Sequence, residues 1–213
     1  MEKIIYDKFD KHEISALPRV LFDGRVIVIN TENEAAKAVD YLLSADVLGI
    51  DTETRPSFKK GHVHDVALLQ VSTHDTCFLF RLNLIGMSDS VVRLLEDRSI
   101  PKIGLSLKDD IHSLLKRKEF NPGNFIDIQS HVSEIGIEDM SLQKLYANFF
   151  HQKVSKSMRL TNWEADVLSE GQKLYAATDA WACIKIYEEL CRLERTGEYK
   201  LVHSENEKTL GNV

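Results

Sequence analysis

The sequence predicts an α/β fold in which a mixed sheet is flanked by helices. Two observations carry this. In the first half, apolar runs of strand length stand at 24–30, 47–53, 66–72 and 77–81, and Thr73-His74-Asp75-Thr76 joins the last two with a hairpin-length connection. In the second half, short strand-like runs at 103–107 and 125–128 alternate with segments of helical period. Early antiparallel neighbours followed by strand–helix alternation give a mixed sheet. The chain has 213 residues, 43% hydrophobic and 28% charged, which suffices for one domain with a full core. No repeat or low-complexity tract divides it. The expected organisation is an N-terminal arm at 1–23, one folded domain at 24–197 and a polar C-terminal tail at 198–213.

The elements follow in order. The arm is mixed in composition and receives no role. Val26, Ile27, Val28 and Ile29 make the first strand, and Thr31 with Glu34 forms a capping box for a helix that buries Ala35, Val39, Leu42 and Leu43. After the strand at 47–53 comes a polar loop at 56–65 with His62 and His64, then the two hairpin strands. Ser88 or Asp89 opens a helix carrying Val91, Leu94 and Leu95. Lys108 or Asp109 opens the next, with Ile111, Leu114 and Leu115 inside, and Pro122-Gly123 breaks the chain after it. The cations Lys116, Arg117 and Lys118 read as a solvated helix end. A helix from about Ser141 carries Leu142, Leu145, Tyr146, Phe149 and Phe150, and a basic loop runs from 151 to 162. The last long helix starts at Ser169, boxed by Gln172, and stops at Gly197.

Charge and composition exclude several classes. A net charge of −6 argues against a polyanion binder held by bulk charge. No apolar run has the length of a membrane span, and the charged N-terminus is no signal peptide. Cys77, Cys183 and Cys191 are an odd set without a Cys-x-x-Cys pair, which points to reduced thiols and a cytoplasmic location.

Chemistry concentrates at three places. In Val47-Leu48-Gly49-Ile50-Asp51-Thr52-Glu53-Thr54 an apolar strand ends in two acids on one face, about 7 Å apart. Such a pair is repulsive unless a cation sits between, and Mg²⁺ or Mn²⁺ suits clustered carboxylates. By itself so short a pattern reads first as a strand end with two solvated acids. In Gly104-Leu105-Ser106-Leu107-Lys108-Asp109-Asp110-Ile111-His112, two acids occupy the first turn of a helix, where acids also serve the dipole. Asp110 lies at the edge of the inward face and is the better metal candidate. In the last helix, Tyr175 and Asp179 share a face one turn apart, set among Leu174, Ala177, Trp181 and Ile184.

Asp-x-Glu on a strand, Asp at a strand-to-helix junction and Tyr-x-x-x-Asp on a C-terminal helix resemble the layout of the DEDD 3′-5′ exonucleases, Tyr subtype. The stretches Ser155–Trp163 and Gln172–Ala180, with Val66-Ala67-Leu68-Leu69-Gln70, are similar to the Werner-type exonuclease domains and their bacterial relatives. Ribonuclease D resembles the chain more distantly, and 213 residues are expected to be too few for the helical nucleic-acid-binding domain that ribonuclease D adds. The resemblance spans roughly residues 24–193. It implies a ribonuclease-H-like fold with a mixed five-stranded sheet, and metal-dependent 3′-to-5′ hydrolysis releasing nucleoside 5′-monophosphates. It further implies that Asp51, Glu53, Asp110 and Asp179 hold two Mg²⁺ or Mn²⁺ ions, that Tyr175 orients the attacking water, and that Thr54, Lys156 and Arg159 bind substrate. One place departs from the family: a tryptophan two residues after the third acid is replaced by His112.

DNA is the favoured substrate, with a ribonuclease D-like exoribonuclease as the alternative. A catalytically inactive module that binds nucleic acid or a partner protein ranks third, because all four acids and Tyr175 are present. The expected state is a monomer, with a helicase or another protein presenting the substrate.

Overall fold

Thr31 and Ser169 act as the sequence marks them. Each side chain accepts from the backbone N–H three residues on, and Glu34 and Gln172 return the bond to the cap backbone. These boxes start α2 (Glu32–Leu42) and α8 (Glu170–Thr196), and Gly197, at φ 64°, ends α8 in the left-handed conformation. The computed structural model describes residues 2–59 and 61–204.

The main sheet contains β2 (Arg25–Ile29), β3 (Leu48–Thr54), β4 (Val66–Ser72), β5 (Thr76–Arg81), β6 (Lys102–Gly104) and β7 (Phe125–Asp127). Their order is β2-β5-β4-β3-β6-β7, with β4 antiparallel to both neighbours and the other pairings parallel. The sheet is mixed as expected but has six strands, one more than the expected five. β4 and β5 are buried at every position, as strands covered on both faces must be.

One face carries α2, α4 (Asp89–Glu96) and α5 (Leu107–Arg117) over a core including Val39, Leu42, Leu69, Phe80, Leu94 and Leu114. The other carries α8, which lies across β2 to β6, flanked by α6 (Ile128–Glu134) and α7 (Leu142–Phe150). Ile103, Ile128, Leu145, Phe149, Ile186 and Leu190 fill that layer. Both tryptophans pack there, Trp163 with no exposure. Among the described residues no helix is long and apolar enough to cross a membrane.

The ends of the chain depart from the sequence reading. The arm contains β1 (Lys3–Tyr6) and α1 (Lys11–Ile14), and β1 pairs in parallel with β8 (Tyr199–Val202). The segment expected as a polar tail therefore begins as a strand. Tyr199 and Leu201 alternate inward against the α6–α8 core, and Ile5 of β1 is fully buried beside them. The rest of that tail, 205–213, lies outside the described residues. Phe22, at the end of the arm, donates its N–H to the Thr178 hydroxyl of α8 at 3.0 Å.

Two smaller expectations are also revised. The strand at 103–107 stops at Gly104, because Ser106 turns left-handed at φ 61° and α5 begins at Leu107. Arg117 is no solvated helix end. Its guanidinium donates to the carbonyls of Val66 (3.0 Å) and Leu82 (2.7 Å), which fastens α5 to the sheet.

Candidate functional site

The site starts from a residue with no side chain. A Cβ on Gly49 of β3 would lie 1.9 Å from the Ala180 carbonyl oxygen of α8. Ala176, Ala177 and Ala180 are all fully buried in α8. With only small groups between them, helix backbone and strand backbone approach closely, and Asp179 is lowered onto the end of β3. Asp51 and Glu53 follow Gly49 at intervals of two and so share its face. One carboxylate oxygen from each of Asp51, Glu53 and Asp179 lies within 4.8 Å of the other two.

Asp110 stands outside that trio. It sits in the first turn of α5, and Thr52, on the opposite face of β3 from Asp51, donates its hydroxyl to the Asp110 carboxylate. The Thr52 N–H donates to Asp51 at 2.9 Å, so one residue ties two acids. The β3–β4 register shifts between Glu53 and Thr54. A bulge there ends regular pairing where side chains must be re-aimed, and it leaves Thr54 half-buried at the end of β3, outside the lining of the cavity at the acids. Tyr175 lies one turn before Asp179, buried against Trp163 with ring centroids 6.0 Å apart, and its hydroxyl reaches the Asp179 carboxylate.

The electrostatics are those of crowded acids. Burial first, then repulsion from Asp110, Asp179 and Glu53, holds the Asp51 carboxyl far above the usual carboxylate range. Burial and the charges of Asp179 and Asp110 push Glu53 up to about 9, against a smaller opposing pull from Arg159. Burial brings Asp179 to about 7, moderated by Tyr175 and Lys156. Asp110 rises to about 6, again by burial, with the Thr52 hydroxyl opposing. Burial raises the Tyr175 phenol far out of reach of neutral pH, so it keeps its proton.

A buried Asp179 oxygen, Oδ1, has no hydrogen-bond partner among the described residues. An orphaned carboxylate oxygen inside a converging all-oxygen set fits a hard divalent cation, whereas zinc prefers nitrogen and sulfur.

Asp51 and Asp179 of the trio open into a cavity of about 130 Å³, whose walls also include Tyr175, Gln143, Lys156 and Arg159. The basic loop thus does reach the acids. Lys156 and Arg159 are exposed on the cavity's rim. His112 is exposed on α5. The loop histidines stay apart from the trio, and His64 faces Glu164 at 3.4 Å.

Sequence reasoning missed Asp127. Its carboxylate accepts from the N–H groups of Ser106 (3.1 Å) and Leu107 (2.8 Å) and from Gln129 (3.0 Å). It therefore caps α5 from a distance, and its own helix α6 locally, and fixes the turn that carries Asp110. The only sequence signal was an acid ending a short apolar run. Thr52 was passed over because a threonine between two acids carries no chemistry until its partner is known.

Residues 26–193 match the sequence profile of the 3′-5′ exonuclease family. The chain is 32% identical over 163 residues to the bifunctional 3′-5′ exonuclease/ATP-dependent helicase WRN of Mus musculus, covering 74% of this chain and 12% of that protein. It is 34% identical over 150 residues to exonuclease 3′-5′ domain-containing protein 2 of Drosophila melanogaster, covering 68% and 25%. The chain thus spans a quarter or less of these two relatives. Among solved structures, Escherichia coli RNase D, an exoribonuclease involved in structured RNA processing, is similar in fold with a TM-score of 0.72 at 23% identity, covering 81% of this chain and 46% of that one.

Proposed function

The chain belongs to the 3′-5′ exonuclease family, and from that premise we propose that it removes nucleotides one at a time from the 3′ end of a nucleic acid, at the cavity where β3 meets α8. The observation that carries the reading is the convergence of Asp51, Glu53 and Asp179 around a buried, unpartnered Asp179 oxygen, with Lys156 and Arg159 on the same cavity.

Asp51, Glu53 and Asp179 would hold divalent ions, Mg²⁺ or Mn²⁺, with Asp110 supporting a second ion from the α5 side. Bound there, such ions supply Lewis acidity to the phosphate and a nucleophilic water at neutral pH. Arg159 and Lys156 grip the scissile phosphate, Arg159 through its planar fork. Thr54 borders the terminal nucleotide. Tyr175, which keeps its proton, positions the attacking water by a hydrogen bond. The water oxygen bonds to phosphorus and the bond to the 3′ oxygen of the next nucleotide breaks. That oxygen takes up a proton, and the terminal residue leaves as a nucleoside 5′-monophosphate.

DNA is the favoured substrate, supported by the similarity to an exonuclease that shares its chain with a helicase. The same association supports a substrate-presenting helicase or other partner for this chain, which we take to act as a monomer. Three free cysteines suit a reducing compartment such as the cytoplasm.

The test is cleavage of 5′-labelled single-stranded DNA, recessed-end duplex DNA and RNA of matching sequence in Mg²⁺, Mn²⁺ or EDTA, beside Asp51→Ala. A ladder shortening from the 3′ end, lost in EDTA and in the variant, is the expected result. The best substrate decides DNA against RNA. Cleavage that survives EDTA or Asp51→Ala refutes the site.

A further inference from the structure

The arm preceding β2 lies outside the segment that matches the family, yet it does not hang free. Lys153 donates its N–H to the Pro18 carbonyl at 2.9 Å, and Val20 donates to the Lys153 carbonyl at 3.1 Å. Arg19 thereby bridges, strand-like, to Lys153 of the basic loop. The Lys153 ammonium donates to the Ser15 carbonyl. On its other side the loop is held by Gln143 of α7, which donates to the Val154 carbonyl at 2.9 Å.

These bonds close a groove of about 350 Å³, lined by residues including Lys11, Arg19, Lys153 and Lys156. No Asp or Glu is among its lining residues. The groove shares Gln143, Val154, Ser155 and Lys156 with the cavity at the acids, so one wall serves both. Lys11 and Lys144 add to the positive field at Lys156. Lys144 is neutralised by Asp139 at 2.6 Å. The side chains of Lys11 and Arg19 have no ion-pair or hydrogen-bond partner among the described residues, and both are exposed. In a chain of net charge −6, a groove of unpaired cations without a carboxylate is a local reversal of sign. Repulsion among cations is tolerated where an anion is to be bound.

We propose that the N-terminal arm forms the second half of the substrate path: Lys11 and Arg19 bind the backbone phosphates of the nucleotides lying 5′ to the one being removed. This rests on the exonuclease reading and extends it. The cavity takes the 3′-terminal nucleotide, Lys156 stands where cavity and groove meet, and the single strand runs out along the arm. Unpaired cations on a groove without aromatic walls recognise phosphates and not bases, so binding along the arm is independent of sequence. It also falls with salt, each phosphate contact on a single strand contributing about 0.7 to the slope of log K against log salt.

The experiment measures binding by fluorescence anisotropy, in EDTA, of 5′-labelled single strands of two and about eight nucleotides. Wild type, the double variant Lys11→Ala/Arg19→Ala and the control Arg98→Ala are compared over a salt series. Arg98 is an exposed cation on the connection preceding β6, at the opposite end of the sheet from the acids. The double variant is expected to bind the longer strand about tenfold more weakly than wild type. Its salt slope is expected to fall by about 1.4. The control should match wild type. An affinity and slope unchanged in the double variant overturn the proposal, as does a wild type that gains nothing from the longer strand. Cleavage in Mn²⁺ is followed in parallel. Wild type that shows the expected binding but cleaves nothing overturns the exonuclease reading and leaves the groove. Cleavage with a double variant that binds like wild type does the reverse.

Discussion

Replacing Gly49 with alanine puts a methyl carbon 1.9 Å from the Ala180 carbonyl oxygen and 2.8 Å from its carbon. Ordinary contact begins at 3.4 Å, so strand and helix must separate by roughly 1.5 Å, and both groups are backbone that no rotamer change can move aside. Overpacking of this kind costs about 1–3 kcal/mol. The displacement falls on the turn of α8 that holds Asp179 above Asp51 and Glu53. A misplacement of about 1 Å in a reacting constellation costs on the order of 100-fold in rate. Gly49→Ala should therefore lose about 2 kcal/mol in urea unfolding and about two orders of magnitude in kcat/KM. Gly171→Ala is the matched control. It lies in the first turn of α8, where the new methyl meets the tip of the flexible Met158 side chain at 3.0 Å and the Ser169 hydroxyl at an ordinary 3.9 Å, and it should be neutral or stabilising by up to about 1 kcal/mol. If Gly49→Ala unfolds at the wild-type midpoint and cleaves at the wild-type rate, the close approach of α8 is not what assembles the acids.

Asp127→Ala leaves the N–H groups of Ser106, Leu107 and Gln129 without their acceptor; it should cost about 2 kcal/mol by denaturant unfolding and lower kcat by loosening the turn that carries Asp110, and a loss under about 0.5 kcal/mol counts against the capping role. The metal-free protein should become less stable as pH rises. Glu53, Asp179 and Asp110 titrate at about 9, 7 and 6 when folded, whereas unfolded carboxyls titrate near 4, so between about pH 4 and pH 9 the folded state holds protons that the unfolded state has released. In EDTA, the stability of Glu53→Gln relative to wild type should accordingly grow across that window and shrink again when Mn²⁺ is added; a difference independent of pH contradicts the repulsion argument. Tyr175→Phe keeps the packing on Trp163 and removes only the hydroxyl, so kcat should fall about 10- to 100-fold with KM near wild type, and an unchanged kcat removes Tyr175 from the reaction.

What was legible in the sequence was local. Thr31 with Glu34, Ser169 with Gln172 and the stop at Gly197 are contacts within four residues of one another or a single backbone conformation, so residue type alone announces them. The acids were legible because each sits at a defined place on its own element. What was hidden depends on groups far apart in the chain. Asp127 caps a helix that begins 20 residues earlier. Gly49 matters through a helix more than 120 residues away. Tyr199–Val202 has strand alternation too short to declare itself until β1 lies beside it. Lys11 and Arg19 of the arm carry no sequence signal of their own, and only the pairing of the arm with Lys153 brings them to the basic loop.

α8 shows why the functional part of such a chain can still be seen first. The buried face of a helix laid on a sheet should be apolar, and here it carries Ala176, Ala177, Ala180, Ala182, Cys183, Ile184 and Ile186, with Asp179 the one acid among the buried residues of α8. Burying Asp179 with one oxygen unpartnered next to two further acids raises the free energy of the folded chain. Nothing in the surrounding packing requires an aspartate at that position. A buried acid with an unpartnered oxygen on that face, directed at two further acids on β3, works against folding, and such local conflicts are expected at functional sites. The alanines answer the same need from the other side: they contribute little burial each, but they bring the helix backbone onto Gly49 closely enough for the carboxylates to converge.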